Sequence, residues 1–219
     1  PAQIAKQTEA YRYGHGDMQI HLALNEPAAW HDAELNPVAM THLTPNLNGI
    51  SKAMNEATRG LLPEKATIVV GQPAMVDPTR VPEGKGLLWI QLQELPRHIL
   101  GDAAGEISIP ADGSWTEEVR EAYADRIIDR IVQHIPNLKE NIISRTVLSP
   151  VDLEAININL VGGDPYGGDC SLDQFFLWRP LRGLKNHKTP LKNLYHIGAS
   201  THPGPGLGGG SGYLVAKSL

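Results

Sequence analysis

The glycine-rich tail Gly204-Pro-Gly206-Leu-Gly-Gly209 sets the tightest limit on what this chain can fold into. It fits G-x-G-x-x-G and lies between the apolar run Leu194-Tyr-His-Ile-Gly198 and a helix-like segment, Tyr213 to Leu219. Strand, glycine loop and helix start in that order present backbone N–H groups to a phosphate or an anionic ring. A complete dinucleotide fingerprint also needs a second strand carrying an acidic residue about 20 positions on. Ten residues follow Gly209, so that βαβ unit cannot close within this chain. The loop therefore reads as one half of a cofactor site, its glycines letting backbone approach a flat ligand. A plain glycine hinge is the competing account.

Upstream, Asp17 to Leu24 alternates Met18, Ile20, Leu22 and Leu24 with polar or small residues, the period of a half-buried strand. Weak helical spacing covers Pro1 to Tyr13, and a short strand is expected near Ala39–Leu43. Ile50, Ala53, Met54, Ala57 and Leu61 predict an amphipathic helix over 48–62. Ala66–Val70 and Gly86–Gln93 read as strands joined by a Pro/Gly-rich loop, 72–86, that should run extended. No crossover helix fits between them, so the sheet should be antiparallel or mixed.

Ser114-Trp-Thr-Glu117 has the form of a capping box. Behind it Val119, Tyr123, Ile127, Ile131 and Ile135 recur every four residues until Pro136 stops the pattern. Ile142–Leu148 reads as a strand, Val151–Ile156 as a helical turn and Gly162–Gly168 as a loop. Leu172–Arg179 is ambiguous between a short helix and an extended segment. A strand running into Gly198 closes the series. The expected class is α+β, a mixed and mostly antiparallel sheet with flanking helices.

The net charge is −5, with no block of Lys and Arg, which gives nucleic acid no electrostatic footprint. The single Cys170 cannot form an internal disulfide and points to a reducing, cytoplasmic setting. No apolar stretch approaches the roughly 18 residues of a membrane span. Peripheral membrane contact through an apolar patch stays open. Nine histidines include no H-E-x-x-H, so no metal site is expected. The nucleophile elbow is missing because Tyr213 stands two places after Ser211. Glu117 and Glu118 are the acidic first turn of a helix. The chain starts at Pro1 and stops at Leu219 in mid-helix, which leads to the expectation of a fragment.

Leu194 to Gly212 resembles the C-terminal flavin motif of the phytoene desaturase-like FAD-dependent oxidoreductases. Asp77–Lys85, Leu148–Glu154, Gly162-Gly-Asp164 and Ser171–Pro180 resemble later segments of that family in the same order. The resemblance implies a mainly substrate-binding region over 1–192, then the last strand, glycine loop and helix start of the FAD domain over 193–219. It implies FAD as cofactor, an apolar substrate, and an N-terminal FAD-binding region of the same protein as partner. Gly198 and Ala199 would lie near the flavin's phosphate and ribityl chain, and Ser200 is a further cofactor-binding candidate. Gly206, Leu207 and Gly208 would put N–H groups near the pyrimidine edge of its ring. Gln174 and Arg179 are substrate-side candidates, and no residue is assigned a catalytic step. Pro205 stands where the family commonly has glycine. As a fragment the chain is expected to be inactive. The alternative is a non-catalytic α+β binding or interaction module with a glycine hinge, and a parent that has lost flavin chemistry is a third reading.

Overall fold

The alternation at 17–24 becomes strand β1, Gly16–Leu24, the centre of the sheet in the computed structural model, which describes residues 2–184, 187–206 and 209–219. Helix α1 (Ala2–Glu9) precedes it. Strand β2 (Met40–Leu43), helix α2 (Leu47–Thr58) and strands β3 (Leu61–Leu62), β4 (Ile68–Gly71), β5 (Gly86–Leu95) and β6 (Gly101–Asp102) follow. Then come α3 (Glu117–Val132), α4 (Leu138–Asn141), β7 (Ile142–Leu148), α5 (Pro150–Ile156) and, at the C-terminus, α6 (Gly210–Ser218). The main sheet runs β2-β4-β5-β1-β7 with every neighbouring pair antiparallel. A two-stranded parallel pair, β3-β6, stands apart.

Because side chains alternate across a strand, register decides which residues form the core. Ile20 pairs with Ile90 and Val147, Leu22 with Leu88, and Val70 with Ile90, so these side chains share one face. That face packs on α3 through Val119, Tyr123, Ile127 and Ile131, all buried in one continuous cluster. Each such side chain contributes about 1.5–3 kcal/mol on burial. The other face carries Gln19, His21, Trp89 and Gln91, all partly exposed. Such a two-sided sheet is what antiparallel pairing permits.

Helix α3 is also fixed by polar contacts. The Tyr123 hydroxyl donates to the Pro63 carbonyl at 2.9 Å. Arg126 donates both terminal nitrogens to Asp102, at 2.7 and 2.6 Å. Asp102 also accepts the amides of Glu106 and Ile107. Burial pushes its pKa up, but these bonds outweigh burial and hold it at about 2.

Four local expectations are corrected. The cap of α3 is Thr116, whose side chain accepts the Val119 amide at 3.3 Å, in place of a box at Ser114. Helix entry is set by where apolar periodicity meets the sheet, which shifts the cap by two residues. A capping box does occur at Ser149, whose hydroxyl accepts the Asp152 amide while Asp152 accepts the Ser149 amide. It heads α5, so 150–156 is a seven-residue helix. The 72–86 loop contains 3-10 turns at Pro73–Met75 and Pro78–Arg80, because proline's fixed φ suits a first helical position as well as extended backbone. Finally, no strand forms over 194–198. Among the described residues its one β-bridge is the isolated pair Lys188 and Tyr195, and a strand without a ladder partner does not persist. The expected helix start after the glycine loop is present as α6. No helix among the described residues is long and apolar enough to cross a membrane.

Candidate functional site

The chain beyond α5 is organised around buried polar side chains. A 3-10 turn at Val161–Gly163 delivers Asp164, which is fully buried. Its carboxylate accepts the amides of Gly14 (2.8 Å), Tyr166 (2.7 Å) and Gly168 (2.8 Å). The Tyr11 hydroxyl donates to the Gly167 carbonyl at 2.7 Å. Gln174 accepts the Arg12 amide at 2.9 Å and donates to the Arg12 carbonyl at 2.7 Å. Residues 11–14 are thereby stitched to 164–174.

Arg179 carries the connection onward. It is 2% exposed, and its Nε donates to the Ala199 carbonyl at 2.9 Å. Its terminal nitrogens reach the carbonyls of Tyr166, Gly168 and Asp169, and its guanidinium lies 5.3 Å from the centre of the Phe175 ring. The planar fork of five donors is what allows one side chain to serve so many carbonyls. Gln174 and Arg179 are thus both engaged with backbone, as positioning residues. Arg179 also lines a cavity of about 760 Å³ with Trp178, His196, Thr201 and Leu214.

The glycine loop is pinned at its start. The Gly198 amide donates to Ser211 Oγ at 2.9 Å, and the Gly198 carbonyl accepts both the amide and the hydroxyl of Thr201, at 3.0 and 2.8 Å. Gly198 therefore offers no free amide to a ligand. It offers space: its φ is +113°, and a Cβ built there meets nothing within 4 Å among the described residues. Gly206 behaves likewise at φ +156°. Gly198, Ala199 and Ser200 line a second cleft, about 810 Å³, shared with Tyr11, Tyr13 and Gly167. The amides of Ala199 and Ser200 make no hydrogen bond among the described residues. Helix α6 has Gly209 as its N-cap and no side-chain cap among the described residues, which leaves its first amides open. Leu207 and Gly208 lie outside the described residues.

His196 borders both cavities. Its Nε2 is 3.0 Å from Ser200 Oγ, and His187 Nδ1 is 3.2 Å from its carbonyl. Burial, and then the nearby His187, lower its pKa below the usual histidine value. Among the described residues no three His, Cys, Asp or Glu side chains converge as metal ligands.

Asp164, Thr201, Ser211 and the Ser200–His196 contact escaped the sequence reading. Asp164 had a usable signal, an Asp directly after Gly-Gly, where its carboxylate can bond amides a few residues on. Thr201 and Ser211 had none, since hydroxyls inside a glycine-rich loop carry no periodicity.

No family model matches the chain. Over 167 residues, 76% of the chain, it is 32% identical to the mouse pyridine nucleotide-disulfide oxidoreductase domain-containing protein 2. It is 28% identical over 98% of its length to a phytoene desaturase (lycopene-forming) of a Paracoccus strain. It is 29% identical over 70% to a 4,4'-diapophytoene desaturase (4,4'-diaponeurosporene-forming) of Staphylococcus aureus. The chain spans 27%, 38% and 28% of these three relatives respectively. The sequence matches and the pinned glycine loop together make this chain a relative of the phytoene desaturase-like FAD-dependent oxidoreductases.

Proposed function

We propose that this chain forms the substrate-side and C-terminal flavin-facing part of a FAD-dependent oxidoreductase acting on an apolar substrate. An N-terminal FAD-binding region of the same protein would complete the flavin site. The carrying observation is the backbone of 198–206, held open beside a cleft by side chains that do not enter it. The apolar substrate is taken from the names of the two desaturases.

The residues present suit a flavin. Cβ-free backbone at Gly198 and Gly206 allows close approach of a flat ring or a phosphate. The amides of Ala199 and Ser200, with the open first turn of α6, are donors for an anionic group. Arg179 holds the Ala199 carbonyl and Ser211 holds the Gly198 amide, so the loop keeps its shape without ligand. A bound flavin would supply the hydride acceptor. The chain's own part is to orient that group and exclude water from one side of it. Ties through Arg179, Thr201 and Ser211 argue against the glycine hinge alternative, because a hinge must be free to turn.

Purified together with an N-terminal FAD-binding region, the protein should carry one flavin per chain, seen in its visible absorbance. Ser211→Val, which frees the Gly198 amide, should lower flavin occupancy at least tenfold. A colourless protein would overturn the reading. The 219-residue chain alone should bind FAD weakly. Tight stoichiometric binding by it would refute the division of the site between two regions.

A further inference from the structure

Helix α3 carries two arginines one turn apart on the same face, Arg126 and Arg130, and the fold treats them differently. Arg126 is neutralised by Asp102 and Glu106. Arg130 is partly buried and has no carboxylate at ion-pair distance among the described residues. Its Nη1 donates to the Ala66 carbonyl at 2.6 Å, which fixes the guanidinium, while Nε and Nη2 make no hydrogen bond among the described residues. Burial lowers its pKa, with the Tyr123 and Glu94 charges opposing. Such a group is costly to leave alone, because burial removes water without supplying a counter-charge.

Arg130 opens into a groove of about 1230 Å³ between α3 and residues 42–45, 64–65 and 103–107. Lys65 lines the same groove, exposed and without an ion pair among the described residues. The carboxylates of the groove are already held: Glu64 by Lys52, Glu106 by Arg126, Asp125 by Arg145 and Asp129 by Lys139. Leu43, Pro45 and Ile107 give it an apolar side. It shares no lining residue with the cleft beside the glycine loop or with the cavity at Arg179.

We propose that this groove binds the phosphate group of a small organic molecule, with Arg130 and Lys65 as the anion-binding side chains. The guanidinium edge left free, Nε with Nη2, offers two parallel donors that match two oxygens of one phosphate. Two cations without partners match the double charge of a phosphate monoester. The paired carboxylates around the groove repel an extended polyanion, so the ligand is compact, and the apolar side takes its organic body. The site is independent of the flavin reading, and its test needs no cofactor.

The test is calorimetric titration of the full chain with phenyl phosphate, benzoate and benzyl alcohol at about pH 7.5, where a phosphate monoester is mostly doubly charged. Phenyl phosphate should bind saturably, one per chain, at least tenfold more tightly than benzoate, and should weaken as salt is raised. Benzyl alcohol should not bind. Arg130→Gln should cut phenyl phosphate affinity at least tenfold, and Lys65→Ala severalfold. Should Arg130→Gln fail to fold, Lys65→Glu, at an exposed side chain, should by itself cut binding at least tenfold. Absence of saturable phenyl phosphate binding overturns the proposal, and so does benzoate or benzyl alcohol binding equally well. Binding untouched by these substitutions also overturns it, as an adventitious ion only.

Discussion

Around Ile20, Ile90 and Ile131 the buried atoms are carbon, and around Asp164 and Arg179 they are nitrogen and oxygen. The sheet layer buries a continuous apolar cluster between β1, β4, β5 and α3. Beyond Leu153, the described residues bury one large apolar side chain, Val215, alongside Asp164, Gln174, Arg179, Thr201 and Ser211. The two regions therefore resist disruption differently. Apolar packing is non-directional and shared, so its loss is felt globally. A hydrogen-bonded hub is directional, and losing it strands specific partners. A loop that must present backbone to a ligand is better held by the second means, since a filled apolar core would occupy the ligand's space.

Ile131→Ala should break the first region. The side chain is fully buried, so stability should fall by about 2–5 kcal/mol with the whole chain unfolding at lower denaturant. Arg179→Ala should break the second. Stranding the carbonyls of Tyr166, Gly168 and Ala199 should cost about 3 kcal/mol locally, read as faster amide exchange over 166–170 and 198–206. The sheet's exchange should not change. Arg179→Lys should not rescue, because an ammonium cannot span those carbonyls. If both substitutions loosen both regions alike, the distinction between them fails.

Asp17 tests the seam. It is fully buried on β1, and burial raises its pKa to about 7, with the hydrogen bonds from Gln19 and Gln91 opposing and the Glu94 charge adding to the rise. Tyr166, across the seam, is raised by burial and next by the Asp17 charge. A carboxyl whose folded pKa exceeds its unfolded value binds its proton more tightly when folded. Its contribution is full below pH 4 and is lost as pH climbs through 7. Wild type should therefore lose stability, on the order of 2 kcal/mol, between pH 5 and 8. Asp17→Asn should flatten that slope in denaturant titrations, and an unchanged slope would remove Asp17 from the account. The smallest effect is expected for Ser149→Ala, about 1 kcal/mol from the lost α5 cap, seen as a lower melting temperature.

The sheet layer was legible in the sequence to a greater degree than the site. Met18, Ile20, Leu22 and Leu24 announced β1, and the four-residue recurrence from Val119 announced α3, because both periods are properties of consecutive residues. The glycine loop announced itself by composition, and a helix does follow it. Its anchors were silent. The strand expected before Gly198 failed because a strand depends on what lies opposite it.

By itself the sequence determined the two periodicities and the glycine loop. Tertiary structure alone decided that β1 lies between β5 and β7, that Arg12 meets Gln174 across 162 positions, and that the Gly198 amide belongs to Ser211. Periodicity is set by backbone geometry over a few residues, whereas a hydrogen-bond partner or a strand neighbour is set by which distant surfaces reach each other once the apolar face of the sheet is buried.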